Sequence, residues 1–289
     1  MGIVMMRRAT FLTLSFLLVA CGAQGSGEPT AEEKARHAEV QRLYSEGCKR
    51  SGEFIHRRVS DVEGIMLLKL RPTKYSPYDQ NAVDPYGYDF DWGYKDKAPP
   101  YITTFLIGKD EKGHYREVGP VVEPGYRYVE AVDPEDGKRY RYTGSVKVVG
   151  RKDPNTPNHQ IDLKRNPNFD LNNYAYVVDR VLATGSTPRY GVTYDDISTV
   201  EERRHWIAGS SLKVIDLRAN EIIAERIGYM VDFAQGATPG GRQPWTFARW
   251  NKGWSCPDIA RQSYGARRFV EKVLLNRDAQ PIIPPDAAR

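Results

Sequence analysis

Twelve largely apolar residues, Ala9–Ala20, follow Arg7 and Arg8 and stop at Cys21. Twelve helical residues reach about 18 Å, well short of a hydrocarbon core roughly 30 Å thick. The run is not amphipathic, and the Gly/Ser-rich stretch Gly22–Thr30 follows it directly. Neither a membrane span nor an internal core helix fits. A positive start, an apolar middle and small residues at the end are the marks of a secretory leader. Whatever folds lies beyond it.

The end of that leader, Leu18-Val19-Ala20-Cys21, resembles the lipobox of bacterial lipoproteins. The resemblance implies cleavage before Cys21, a diacylglycerol on its thiol and a third acyl chain on its amino group. Several chains exceed the two-signal threshold for stable anchoring. Gly22 stands where an aspartate would mark inner-membrane retention in enteric bacteria, so attachment to the outer membrane, facing the periplasm, is expected. The expected organisation is a signal peptide over 1–20, a lipidated flexible tether over 21–30, and a single α+β periplasmic domain over 31–289. Removing the leader leaves 269 residues and lowers the net charge from +5 to +3, because it carries two arginines and no acid.

With Cys21 acylated, Cys48 and Cys256 remain, and in an oxidising periplasm two leftover cysteines usually pair. A bridge would close a loop of about 209 residues, worth roughly 5 kcal/mol in the chain-entropy model. Two separate buried thiols are the alternative. No Cys-x-x-Cys is present to suggest a redox pair. The composition, 40% hydrophobic and 27% charged, excludes wholesale disorder and a multi-span membrane protein. The charge is too slight and too evenly spread for a nucleic-acid binder.

Ala31–Arg50 reads as a helix from its Ala, Glu, Lys and Arg content and a weak apolar stripe. Strands are expected at 54–59, 64–70, 101–107, 125–132, 138–149, 174–183 and 190–195. Leu212–Leu217 and Glu221–Phe233 form the clearest hairpin, and Tyr264–Leu275 a closing helix. Residues 71–100 and 150–173 read as loops, and 199–206 as a short helical turn. The fold class expected is α+β: a mainly antiparallel sheet of meanders and hairpins, with an N-terminal and a C-terminal helix. No βαβ rhythm points to a doubly wound sheet.

No catalytic residues, metal ligands or cofactor are expected. The five histidines are scattered without metal-binding spacing, and no Gly-x-Ser-x-Gly elbow occurs. Gly236–Arg242 has phosphate-loop glycine spacing but lacks the Lys-Ser/Thr and contains Pro239, so a turn is the better reading. Asp195 and Asp196 are adjacent on a strand and point to opposite faces, which suits a turn or cap better than paired acid–base work. Asp170, Asn172 and Asn173 offer oxygens without an EF-hand spacing.

The most unusual pattern is aromatic. Tyr86, Tyr88, Phe90, Trp92 and Tyr94 alternate with Gly87, Asp89, Asp91 and Gly93, which in an extended chain places five rings on one face. The row either packs inward or forms an exposed platform for a protein or sugar. Glycines and flanking prolines put it at a lip or edge. It is the expected binding surface. A second group, Trp245, Phe247, Trp250 and Trp254, runs into Cys256 and suits packing over a bridge and the closing helix. Arg139 and Arg141, alternating with Tyr140 and Tyr142, give a strand a basic face.

Tyr190–Ile197, Trp206–Asp216 and Ile222–Asp232 look like stretches of uncharacterised proteobacterial lipoproteins, a resemblance that carries over no functional residue. The expectation is a lipid-anchored envelope binding protein without catalytic activity, whose partners are the membrane and another protein. By location and size its specific form is an immunity protein that occludes an effector delivered by type VI secretion. The alternatives are a structural or assembly lipoprotein binding peptidoglycan or another envelope component and, third, an envelope hydrolase.

Overall fold

The computed structural model describes residues 28–71, 76, 78–87, 100–237, 243–260 and 264–276. The leader, Cys21 and most of the tether lie outside them. Helix α1 (Ala31–Arg50) begins at a capping box: the Glu33 amide donates to the Thr30 hydroxyl, and the Glu33 carboxylate accepts from the Thr30 amide. Strands β1 (Gly52–Ile55), β2 (Val59–Val62) and β3 (Gly64–Leu67) follow. Helix α2 (Pro100–Leu106) precedes β4 (Gly108–Lys109), β5 (Tyr115–Arg116) and β6 (Tyr128–Val132). A long hairpin of β7 (Arg139–Arg151) and β8 (Asn172–Leu182) encloses α3 (Pro157–Arg165). Then come β9 (Tyr190–Asp196), α4 (Val200–Arg204), β10 (Ile207–Asp216), β11 (Glu221–Val231), α5 (Pro244–Trp250), β12 (Ser255–Cys256), α6 (Gly265–Val273) and β13 (Leu274–Asn276).

One nine-stranded sheet runs β1-β11-β10-β9-β3-β6-β7-β8, with β12 added against β11. Strand β3 is parallel to both neighbours, pairing Ile65 with Val129 of β6 and Leu67 with Val192 of β9, and β13 is parallel to β2. The expected fold class is therefore corrected. The sheet is mixed, and six helices are distributed through the described chain rather than placed at its two ends. Parallel pairing needs long crossovers. Residues 68–127 supply one between β3 and β6, carrying α2 with them.

Helix α2 occupies the stretch expected to be a strand. Its β-branched and aromatic run Tyr101–Leu106 is buried on nearly every side, and the Thr104 hydroxyl donates back to the Pro100 carbonyl at 2.9 Å. Tertiary cover overrides β propensity there. Helix α3 falls in a region read as loop and α5 in one given no expected element, each starting with proline at its first turn.

Side-chain alternation divides the sheet into two faces. On the inner face, Leu212, Val214, Val192 and Tyr194 pack against α2 and against Phe269, Val270 and Val273 of α6. On the outer face, α1 lays Val40, Leu43 and Tyr44 over Ile207, Tyr229 and Val231. A bond between Cys48, near the end of α1, and Cys256 of β12 joins this helix to the sheet, with the Cα atoms 5.5 Å apart. Among the described residues no helix is long and apolar enough to cross a membrane.

Candidate functional site

Of the aromatic row, Tyr86 is described; Tyr88, Phe90, Trp92 and Tyr94 lie outside the described residues. Tyr86 sits in a turn and is 3% exposed. Its ring lies on Gly228 of β11, and its hydroxyl donates to the Pro257 carbonyl at 3.1 Å. Burial pushes its pKa up to about 12. At this residue the row packs inward.

Charge as well as apolar contact fixes the segment before Tyr86. Arg71 and Asp84, both buried, pair at 2.9 Å. The Arg71 guanidinium is sandwiched by the rings of Tyr101 and Tyr194, at 4.8 and 4.5 Å. Asp84 also accepts from the Gly87 amide at 2.9 Å. Burial raises the Asp84 pKa above its ordinary value, against the pull of Arg71. Such a pair costs desolvation and returns positional specificity. Here it pins Tyr86 to the sheet.

Beside Tyr86 opens a cleft of about 570 Å³ between β1, the β4–β5 hairpin, the Pro257 turn and α6. Its walls are charged. Lys109 bridges Glu123 and Glu271 at 3.1 and 2.9 Å, and Lys272 meets Glu53 at 2.7 Å. Burial raises the Glu271 pKa, but Arg267 and Lys109 overcome it and hold the carboxyl below its ordinary value. Tyr115 donates to Glu271 at 2.9 Å and packs on Tyr264 with ring centroids 4.5 Å apart. Arg226 of β11 reaches the cleft from below, 5.6 Å from the centroid of the Tyr86 ring. Nothing in the sequence marked it, because residue type alone says little about whether an arginine is buried.

A second surface is the hairpin of β7 and β8. Near its root Tyr142 is buried, and Tyr140, Tyr176 and Val178 pack against the inner core. Further out, residues 147–151 are exposed throughout, and α3 at the tip buries nothing. Val148, Val149 and Ile161 are left in solvent there, as are Val181 and Leu182 on the edge strand β8. Residues 139–182 carry eight Lys/Arg against four Asp, a surplus of +4, while the rest of the chain after the leader comes to −1. Three of those cations, Arg139, Arg141 and Arg180, pair with Glu130 and Asp133 of the body, so the arm is mildly basic, partly apolar, and bears an open strand edge.

The other sequence candidates take structural roles. Asp195 pairs with Lys213 at 3.0 Å, while Asp196 accepts from the Ser198 amide and from Arg203. Thr199 and Glu202 form the capping box of α4. Arg139 and Arg141 both reach Glu130, which is buried in β6, at 3.4 and 2.7 Å. Asp170 accepts from the Asn172 amide and the Tyr174 hydroxyl, as a turn residue. Trp254 packs beside the cysteine bridge, Trp245 turns to the Tyr86 cluster, and Trp250 is exposed. Residues 238–242 of the glycine-rich turn lie outside the described residues. Among those described, no group of three or more His, Cys, Asp or Glu could hold a metal ion. No family model, curated protein or solved structure matches the chain, so the reading of its function rests on its own residues.

Proposed function

We propose that the protein is a lipid-anchored envelope binding protein that acts by contact, not catalysis, with the β7–β8 arm as its docking surface. The observation that carries this reading is the arm. A ribbon extends beyond its core contacts, exposes valines and an isoleucine, and ends in a helix that buries nothing. Exposed apolar side chains ringed by charge mark interaction sites. An open strand edge offers main-chain pairing to a partner. The exposed cations Arg151, Lys164 and Arg165 near its tip suit a partner protein whose surface is acidic around an apolar centre. In its specific form the partner is a periplasmic effector delivered by a type VI system, and this protein confers immunity by covering it.

The test is co-purification from detergent-solubilised envelopes, followed by reconstitution with each recovered protein. The expected partner binds the intact chain, loses at least tenfold in affinity to Val148→Asp or Ile161→Asp, and weakens as salt rises. Recovery of generic envelope proteins alone, or a partner indifferent to both substitutions, overturns the reading. In the same cells Cys21→Ser releases the protein from the membrane or leaves it unprocessed; unchanged fractionation refutes the anchor.

A further inference from the structure

We infer that the cleft beside Tyr86 binds a small polar ligand through one carboxylate, and that Arg226 receives it. The volume of about 570 Å³ falls within the range of small-molecule sites, roughly 300–1,000 Å³. Arg226 is 6% exposed. One guanidinium nitrogen donates to the Gly265 carbonyl at 2.6 Å, while the buried Nε has no hydrogen-bond partner. Among the described residues no carboxylate forms an ion pair with Arg226. The nearby Asp84 pairs with Arg71 and meets Arg226 only through longer-range charge attraction.

A buried guanidinium without a counter-ion is destabilising, and natural folds seldom leave one so. Other cations of this cleft show the contrast: Lys109 has two carboxylate partners and Lys272 has one. Arg226 is therefore a cation of this cleft for which, among the described residues, no carboxylate lies at ion-pair distance. A planar guanidinium suits a carboxylate, whose two oxygens match its parallel N–H groups.

The rest of the wall restricts what else the ligand carries. Four acids, Glu53, Glu123, Asp258 and Glu271, line the same cleft. With Lys109, Arg226, Arg268 and Lys272 on the same walls they leave the cleft near neutral, which does not favour a polyphosphate or any other multiply charged anion. They would accept hydrogen bonds from hydroxyls or an ammonium. The rings of Tyr86 and Tyr115 supply flat surfaces for the body of the ligand. A peptide C-terminus and an acidic sugar share this chemistry: one carboxylate on a compact, donor-rich frame. The inference does not depend on the arm, which lies on the far side of the sheet order from β11.

Calorimetric titration of the full chain in detergent, with L-alanyl-L-alanine, its C-terminal amide, glucuronic acid and inorganic phosphate, tests it. Binding of the dipeptide or of glucuronic acid is expected, and whichever binds identifies the source of the carboxylate. The amide should bind at least tenfold more weakly than the free dipeptide. Arg226→Lys, which keeps the charge and loses the fork, should lower affinity at least tenfold. In case that variant folds poorly, the Arg226 Nε–H resonance of the unaltered protein should shift on titration. Three results overturn the proposal: no binding by either carboxylate, equal binding of dipeptide and amide, or phosphate binding as tightly as the carboxylates. A bound carboxylate that leaves the Arg226 resonance unmoved overturns the assignment of Arg226.

Discussion

Strands β10 and β7 are both long members of one sheet, and their surroundings could hardly differ more. Of the ten residues of β10, eight are buried, because α1 covers one face and α6 with the Tyr86 segment covers the other. Strand β7 has thirteen residues and buries one, Tyr142. Both carry valine at strand positions, so the difference does not lie in propensity. It lies in which elements the chain brings back to cover them. The lesson is that in this sheet the ladder sets the shape and the cover sets the stability. The uncovered strand remains available for something outside the molecule.

That comparison can be broken most decisively by truncating a side chain in each region. Phe269→Ala empties a fully buried site between α6 and the sheet and should cost about 3–5 kcal/mol. Val148→Ala trims a residue that is 55% exposed and should fall within about 0.5 kcal/mol of zero. Urea unfolding followed by circular dichroism measures both. A Val148 variant as damaging as the Phe269 variant would mean that the arm is part of the cooperative core.

A finer version uses two glycines, each lying under a tyrosine. A methyl group on Gly228 would sit 1.9 Å from Cε1 of Tyr86, and one on Gly144 would sit 1.8 Å from the hydroxyl oxygen of Tyr176. The distances are alike and the consequences are not. Tyr86 is buried, and its hydroxyl is tied to Pro257. Gly228→Ala must therefore displace the whole 79–87 segment, at about 1–3 kcal/mol. Only the far end of a half-buried ring opposes the change in the arm, so Gly144→Ala should cost less than about 1 kcal/mol as Tyr176 swings away. Equal losses in thermal unfolding would show that the arm is as rigid as the body.

How much of this was legible in the sequence follows the same division between local and non-local cause. Helix α1 was readable to its ends because its signals are its own: composition and an apolar stripe. The β10–β11 hairpin and α6 were readable for similar reasons. The parallel placing of β3 was not, because Gly64–Leu67 is a short apolar run whose partners come from residues 128–131 and 191–192. Helix α2 was misread because its residues favour strands and only tertiary burial makes them helical. Helices α3 and α5 left a usable signal, Thr156-Pro157 and Gln243-Pro244, in the proline that opens each. At the cleft, Tyr86 was singled out for its spacing. Arg226 gave no sign, since a buried cation and an exposed one are written with the same letter.

The smallest effect expected is electrostatic, and it separates the regions by how far the titration of a single carboxyl reaches. Asp216 ends β10 fully buried and accepts from Arg189 at 2.7 Å and from Arg57 at 2.9 Å. The hydrogen bonds from Arg189, helped by the amides of Ala219 and Arg218, lower its pKa to about 2. In the arm, the Tyr174 hydroxyl and the Asn172 amide lower that of Asp170 too, but on an exposed turn. A carboxyl whose pKa is depressed by folding contributes stability above its unfolded pKa, about 3.9, and that contribution disappears as pH falls through the folded value. Global stability should therefore decline between about pH 4 and pH 2, and Asp216→Asn should remove on the order of 1 kcal/mol of that decline, because its half-exposed arginine partners are screened by solvent. Asp170→Asn should leave the same unfolding curve unmoved, since an exposed turn at the uncovered end of the arm frays without drawing the body with it. A pH profile altered equally by both substitutions would show that the arm and the body unfold as one.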